Sequence, residues 1–518
     1  MSLRAELQGL SPLAVFGELP GRLVHLSDDT RAVRPGGGFV ALQGSARDGH
    51  SLIGAAVQAG AAVVFCSQAW FAAGGRVDGA AWVVLDDTRL RLPALSRLVY
   101  GDPCRSLRVV GVTGTNGKTT TTYLLESLGR GLGKRVGVIG TVSHRYPGFS
   151  EASINTTPGV LKLAALLRDM VDARVEWLAM EVSSHGLAQD RVASMDFDVG
   201  VWTNLSQDHL DFHVSMEAYR EAKKSLFSSY LASSSAKGRA TWAVLNQDDA
   251  AISESFSAAD AARWGQSLWF STSADTAPVF GRALQVASGH QVDGTWSGHL
   301  RYGRQDFPFF LPLAGRFNLQ NALGAVGACV ALGEDPAAVT QVLGQVAQVP
   351  GRLQMLGGGG AAPRVYVDYA HTPEALVCAL EALRESAPRR LWVVFGAGGD
   401  RDAGKRPLMG AAAARYADRV IITTDNPRSE APEVIAAAIW DGVPAAGRGR
   451  SEVILERPEA VQAAVMQAAP EDVVLVAGKG HETYQIVGGR RLEMDDCALV
   501  AAALAERQAQ RAKRGGAL

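Results

Sequence analysis

The sequence predicts an α/β protein in three domains: a small N-terminal α/β domain (residues 1–103), a central P-loop domain with a mainly parallel sheet (104–348), and a doubly wound C-terminal domain (349–518). Three observations carry this. A chain of 518 residues exceeds what one hydrophobic core fills. Short apolar runs of strand character alternate with stretches of helical period, the pattern of parallel sheets covered on both faces. The run Gly111-Val112-Thr113-Gly114-Thr115-Asn116-Gly117-Lys118-Thr119-Thr120 fits G-x-x-x-x-G-K-[ST] between a strand and a helix.

Taken in order, strands are expected at Gly38 to Leu42, Ala61 to Cys66 and Ala81 to Leu85, around a helix from Ser51 to Gln58. Gly101-Asp102-Pro103 closes this part, because the residue before a proline is steered away from helix. The P-loop strand, Leu107 to Val112, opens the next, and Thr119 to Leu132 has helical spacing. Strands follow at Arg135 to Ile139, Glu176 to Val182, Asp198 to Asn204 and Thr241 to Asn246. From Phe280 to Leu313 apolar and polar residues alternate, as in Leu284-Gln285-Val286, with Gly and polar turns between the runs, which predicts an antiparallel extension, and a helix from Asn318 to Leu332 ends the domain. Beyond Val349-Pro350-Gly351, strands at Arg364 to Tyr369, Leu391 to Phe395, Val420 to Thr424, Val453 to Leu455 and Val473 to Ala477 alternate with helices. In such a sheet the functional loops follow the carboxyl ends of the strands. Here those loops read Gly396 to Arg401, Asp425 to Arg428 and Gly478 to Glu482.

Composition narrows the function classes. The 51 basic and 52 acidic side chains nearly cancel, and no basic stripe suggests a nucleic-acid partner. Five scattered cysteines, none at metal-knuckle spacing, read as reduced small hydrophobes and predict a cytoplasmic protein. No apolar run is long enough to span a bilayer, so membrane insertion is not expected.

The P-loop points to a nucleoside triphosphate. Its glycines let backbone N–H groups curl around phosphates, Lys118 reaches the β and γ phosphates, and the Thr119 hydroxyl is placed for Mg2+. Glu181 ends a strand near that loop, where a carboxylate serves an ion. The stretch Thr203 to His213 concentrates two carboxylates and two histidines, of which His209 is the favoured ligand. Lys223 lies on a helix, where composition alone gives it no role. Asn318 and Asn321 share a helix face and could bind a heterocycle or simply cap the helix. Arg352, after a Pro-Gly turn, could reach a phosphate or stand exposed on a linker.

The ordered motifs resemble the Mur ligases, ATP-dependent amino-acid-adding enzymes of bacterial cell-wall synthesis, and within that family the branch that adds meso-diaminopimelate. The resemblance runs through Gly114 to Thr120, Asn155-Thr156-Thr157-Pro158, Glu181 to Leu187, Asn204 to Asp211 and Asn318 with Asn321. It continues through Asp368 to Pro373, Gly399 to Asp402, Asp425 to Arg428 and Gly478 to Glu482. It implies a uridine-nucleotide domain, a central ATPase domain and a Rossmann-like amino-acid domain. It also implies a reaction in which the γ-carboxylate of D-glutamate in UDP-MurNAc-L-Ala-D-Glu is phosphorylated by ATP and then captured by an amine. A monomer is the expected state.

Carried over by position, the resemblance assigns Gly114, Thr115, Asn116, Gly117, Lys118, Thr119, Thr120, Asn318, Arg352 and Asp368 to ATP. Thr119, Glu181, His209 and Lys223 would serve Mg2+, with Lys223 carbamylated, and Lys118 would act with the last three in catalysis. Asp28, Thr30, Ser45, Ala46, Arg47, Asn155, Thr156, Thr157, Ser183, Gln189 and Arg191 would hold the UDP-peptide. Arg401, Asp425, Asn426, Pro427, Arg428, Gly478 and Glu482 would bind diaminopimelate. The triplet Ser45-Ala46-Arg47 departs from the His-Gln-Ala of some members. Among these, Arg428 carries a physical argument: a planar guanidinium can pair with the one carboxylate that distinguishes diaminopimelate from lysine.

Rival readings are a folylpolyglutamate-synthetase-like ligase, a P-loop GTPase and a non-catalytic scaffold. The Asp425 to Arg428 loop and the extra N-terminal domain oppose the first. No Asn-Lys-x-Asp guanine signature supports the second. The intact Lys118, Thr119, Glu181 and His209 oppose the third.

Overall fold

The computed structural model describes residues 3–44, 48–274, 276–359 and 362–515. It is a mixed α/β structure, as the alternation predicts. By density of contact the chain forms two units, one built mainly from residues 1–270 and the other mainly from 336–518 with 285–323.

In the first unit, a small sheet is made of β1 (Ala14–Phe16), β2 (Leu26–Ser27), β3 (Gly38–Val40), β4 (Val63–Ser67) and β5 (Ala81–Leu85), in the order β1-β5-β4-β3-β2. Two-residue β2 and antiparallel β1 were not foreseen, being too short to show a period. One face packs Val40, Val63, Phe65, Val83 and Leu85 against Val160, Leu161 and Ala164 of the helix Val160–Asp172. The other packs Phe39, Val64, Cys66, Trp82 and Val84.

The larger sheet contains β6 (Arg108–Thr113), β7 (Val136–Ile139), β8 (Ser143–Tyr146), β9 (Phe149–Ala152), β10 (Trp177–Glu181), β11 (Val199–Trp202), β12 (Trp242–Asn246) and β13 (Gln266–Ser271). Their order is β13-β12-β11-β6-β10-β7-β8-β9. β6 lies between β10 and β11, parallel to both, with Glu181 opposite Val112 and Trp202 opposite Thr113. The ends of β10 and β11 therefore flank the P-loop. The central strands are apolar between their ends, as burial on both faces demands, and carry polar residues only at their termini: Arg108 and Thr113 on β6 and Glu181 on β10. Trp202 of β11 stacks on Phe227 and meets Phe256 edge-on, as Phe256 meets Trp264, each ring contributing roughly 1.5–3 kcal/mol of burial.

The second unit contains most of β14 (Arg282–Val292), with β15 (Thr295–Tyr302) and β16 (Gln305–Leu311), the last two antiparallel as expected. Its main sheet has β17 (Gln354–Gly359), β18 (Ala362–Asp368), β19 (Leu391–Phe395), β20 (Arg419–Ile422), β21 (Ser451–Val453) and β22 (Val473–Ala477), ordered β17-β18-β22-β19-β20-β21. Only β17 is antiparallel to its neighbour. Cores line both faces, one around Leu380, Val393, Met409 and Ile439, the other around Val367, Val394, Val461 and Val476. A hairpin of β23 (Tyr484–Val487) and β24 (Arg490–Glu493) follows β22. Among the described residues no helix is long and apolar enough to cross a membrane.

Candidate active site

β6 delivers the chain to Gly114, whose φ of +147° is open to glycine and strained for other residues. A Cβ there would stand 1.9 Å from the Thr203 hydroxyl at the end of β11. The same neighbour strand latches the loop. Asn116 N–H donates to the Asn204 side chain at 2.8 Å, Thr203 Oγ1 donates to the Asn116 carbonyl at 2.6 Å, and Thr115 Oγ1 and N–H reach the Ser206 and Asn204 carbonyls. Gly117, at φ +85°, turns the chain into the helix Lys118–Gly131, whose first N–H groups face the loop. Lys118 Nζ donates to the Gly114 and Thr115 carbonyls at 2.9 and 2.8 Å.

Buried Glu181, at the end of β10, accepts from Thr119 Oγ1 at 3.1 Å. It also accepts the N–H and hydroxyl of Thr141, both at 2.9 Å. Gly140 makes this possible, since a Cβ there would lie 2.3 Å from a Glu181 oxygen. Thr141 was not singled out from the sequence. It follows β7, the other neighbour of β10, and strand order is not written in the chain.

Lys223 is fully buried on the helix Met216–Ser225, and its Nζ donates to the Gly114 carbonyl at 2.7 Å. The ring of Tyr219 lies 4.4 Å below that nitrogen, and the Tyr219 hydroxyl donates to Thr115 Oγ1 at 3.2 Å. Burial, then the charge of Lys118, holds the Lys223 amine well below the usual lysine range. Directly after this helix the chain makes a π-helical turn, Leu226–Leu231. His209 adopts a left-handed backbone, stands 3.4 Å from Asp208, and packs edge-on against His185. Burial lowers the pKa values of His209, His185 and His213, and His185 falls to about 4.

A polar row continues from Glu181. Thr141 Oγ1 lies 3.1 Å from Thr156 Oγ1, Thr157 Oγ1 lies 3.0 Å from Ser183 Oγ, and Ser183 caps the short helix Ser184–Ala188. Arg191 donates to the Thr157 carbonyl at 2.9 Å and, twice, to the Gln189 side chain. Asn155 is exposed at the edge of this row. Asp28 closes toward it, one carboxylate oxygen 4.0 Å from where a Cβ on Gly159 would sit. Thr30 opens a 3-10 turn capped by Asp29. Ser45, Ala46 and Arg47 lie outside the described residues.

In the second unit, Asp368 ends β18 nearly buried, its carboxylate accepting the N–H groups of Leu353 and Ala370 at 2.6 and 2.8 Å. Burial raises its pKa. The Arg352 guanidinium lies 4.8 Å over the Tyr369 ring, and His481 packs against the same ring at 5.2 Å. Asn318, buried, donates to the Ala314 carbonyl at 2.8 Å, and Asn321 faces it at 3.4 Å.

The loops after β20 and β22 meet. Gly478, at φ +116°, leaves room for Asp425, since a Cβ would stand 2.4 Å from its carboxylate. Asn426 donates to Glu482 at 2.9 Å and accepts from Lys479 Nζ at 3.1 Å. Lys479 is buried, which lowers its pKa. Arg428, left-handed at φ +54°, bonds to Ile486 and Gly488 through its backbone and to the Gly399 carbonyl through Nη1 at 2.6 Å. Gly399 admits the Pro427 carbonyl, which would lie 1.9 Å from a Cβ there. Arg401 is exposed and borders Gly398, as does Arg428. The site thus offers cations and carboxylates fit to sort a small zwitterion.

Comparison with known proteins supplies the family. The model of the Mur ligase middle domain matches residues 112–329, and that of the Mur ligase glutamate ligase domain matches residues 351–480. A UDP-N-acetylmuramoyl-L-alanyl-D-glutamate--2,6-diaminopimelate ligase of Geobacillus thermodenitrificans is 41% identical over 95% of this chain and 99% of its own. One of the same name from Geobacter metallireducens is 42% identical over 96% and 97%. A solved structure of a ligase of that name superposes with a TM-score of 0.69 at 33% identity, over 98% of this chain and 99% of that one. Lys118, Glu181 and His209 stand within the first matched segment, Asp425 and Gly478 within the second, and the chain belongs to the Mur ligase family.

Proposed function

We propose that the protein joins meso-2,6-diaminopimelate to the γ-carboxylate of the D-glutamyl residue of UDP-MurNAc-L-Ala-D-Glu, in peptidoglycan synthesis. As a Mur ligase it is an ATP-dependent, amide-forming enzyme. The observation that carries the choice of amine is the similarity, near 40% over almost the whole chain, to ligases named for diaminopimelate. Arg428, anchored at the crevice of the second unit, supports it.

A carboxylate is a poor electrophile at neutral pH. The substrate oxygen attacks the γ-phosphorus, ADP leaves, and the acyl phosphate then has a good leaving group. The amine forms the C–N bond, phosphate departs with the C–O electron pair, and the amine loses a proton. Catalysis is positioning and charge neutralisation. The Gly114 to Thr120 backbone and Lys118 take the phosphates, with Asn318, Arg352 and Asp368 serving the nucleotide. The row from Thr156 to Arg191, with Asn155 and Asp28, takes the UDP-peptide. Asp425, Asn426, Glu482 and Gly478 receive the ammonium end of the amino acid, and Arg428 with Arg401 its carboxylates.

Among the described residues no group of three or more His, Cys, Asp or Glu is arranged to hold a metal ion. The hydroxyl of Thr119 and the carboxylate of Glu181 are nonetheless hard oxygen donors beside the phosphate loop, the set Mg2+ takes when phosphates and water complete it. Thr119 would serve one ion and Glu181 with His209 the second, helped by a carbamylated Lys223, and Mg2+ would neutralise charge on the transferring phosphoryl group. Burial favours the neutral form of the Lys223 amine, the form that adds CO2 and loses a proton to become a carbamate. Residues 1–103, 104–348 and 349–518 act as the uridine, ATPase and amino-acid domains of a cytoplasmic monomer.

The test is ATP-dependent coupling of labelled meso-diaminopimelate to UDP-MurNAc-L-Ala-D-Glu, with phosphate release followed in parallel. Coupling of L-lysine with equal kcat/KM would sink the choice of amine.

A further inference from the structure

The two loops assigned to the amino acid leave the sheet from β20 and β22, which are separated by β19. With strands about 4.8 Å apart, their ends stand roughly 10 Å from each other, too far for a direct backbone hydrogen bond. One side chain spans the gap. Arg457, the first residue of the helix Arg457–Gln467, is fully buried. Its Nη2 donates to the Ala477 carbonyl at 2.9 Å and its Nη1 to that of Thr424 at 3.4 Å. Those carbonyls immediately precede Gly478 and Asp425.

The guanidinium is itself fixed. Nε and Nη2 donate to the two oxygens of Asp496 at 2.7 and 2.6 Å, and Asp496, also fully buried, opens the helix Asp496–Gly515. A planar fork with donors on several edges can hold a carboxylate and two carbonyls at once, which an ammonium on a flexible stem cannot do in one geometry. On the outer side the loops are tied a second time, through Lys479, Asn426 and Glu482.

The geometry points to Arg457 as a positioning residue that sets the spacing of the Asp425 and Gly478 loops, and thereby the fit of the incoming amino acid, without touching it. This rests on the assignment of those loops to the amino acid. The consequence is selective. None of the residues assigned to ATP is touched by the Arg457 side chain, so phosphorylation of the carboxylate substrate does not depend on this brace, whereas recognition of the amine does.

The experiment uses the full chain with UDP-MurNAc-L-Ala-D-Glu, ATP and Mg2+, and two amines. Hydroxylamine captures the acyl phosphate as a hydroxamate and has no carboxylate to be recognised. meso-Diaminopimelate has two. In Arg457→Lys the KM for diaminopimelate rises about tenfold or more while hydroxamate formation stays within about twofold of the unsubstituted protein. General loss of folded protein would lower both rates together and leave KM alone. An unchanged KM, or a parallel fall in hydroxamate, overturns the inference. Should Arg457→Lys fail to fold, Asp496→Asn is read by the same criteria. If the unsubstituted protein forms no hydroxamate, the proposed function falls and takes this inference with it. If it does and only the KM effect is missing, this inference alone fails.

Discussion

The amine of Lys223 and the carbonyl of Gly114 lie 2.7 Å apart, joining the buried face of a helix to the residue at which the phosphate loop leaves its strand, across 109 positions of sequence. Lys223→Ala is therefore expected to lower kcat by at least about 100-fold, the scale of several kcal/mol of lost charge stabilisation. Lys223→Arg should fail as well, because a guanidinium stays charged and cannot add CO2. A carbamate signal in 13C spectra of the 13CO2-treated protein, absent from Lys223→Arg, is the direct check. Full activity in either variant would exclude a role for this nitrogen.

Glu181→Gln removes a charge but keeps the shape that Thr119 and Thr141 surround. It should raise the Mg2+ concentration needed for half-maximal rate by about tenfold and lower kcat, since one anionic oxygen donor is gone. Titration of rate against Mg2+ decides this, and an unshifted midpoint would remove Glu181 from the ion.

For Arg428→Ala the preference for meso-diaminopimelate over L-lysine should fall about 10- to 100-fold. That is the range for a charge-assisted bidentate pair of about 1.5–3 kcal/mol. Competition kinetics with both amines measures it. Arg428→Lys should not restore the preference, because a point charge lacks the paired donors.

Gly478→Ala would place a methyl group 2.4 Å from the Asp425 carboxylate at a φ of +116°. The expected result is a raised KM for the amino acid with nucleotide affinity unchanged. Gly114→Ala, aimed at Thr203, should do the reverse and abolish nucleotide binding by calorimetry.

Stability should fall on acidification through the ordinary histidine range. His481, with Nδ1 unpartnered among the described residues, has its pKa lowered to about 4 by burial and the nearby Arg352. The folded protein resists the proton that the unfolded chain accepts. Its contribution is complete above pH about 6.5 and is lost as pH falls toward 4, at most about 3 kcal/mol. Urea unfolding at several pH values should show this limb, made shallower in His481→Asn, with His185 supplying part of what is left.

The sequence was most legible where chemistry and period coincide. β5, β19 and β22 occupy the expected residues because each is a short, unbroken apolar run closed by a turn. The Ser51 to Gln58 helix instead begins as a 3-10 turn at Gly49–Leu52, set by the Asp48 cap. The predicted Val453 to Leu455 strand lies earlier, at Ser451–Val453, where Arg450 and the Ala414 and Ala417 carbonyls fix the entry. Thr141, Tyr219 and Arg457 escaped notice for one reason. Each acts through a partner brought near only by strand order or helix packing, and no local pattern records that adjacency.

The π turn at Leu226–Leu231 makes chain length a determinant in its own right. Such a turn holds one residue more than an α turn, so a single deletion would let the helix close regularly. It would also rotate one flank by about 100° relative to the other. Lys223 on one side and Leu231 in the core on the other could not both keep their places. Most substitutions along this stretch should be absorbed by repacking, whereas a one-residue deletion should be tolerated nowhere in it.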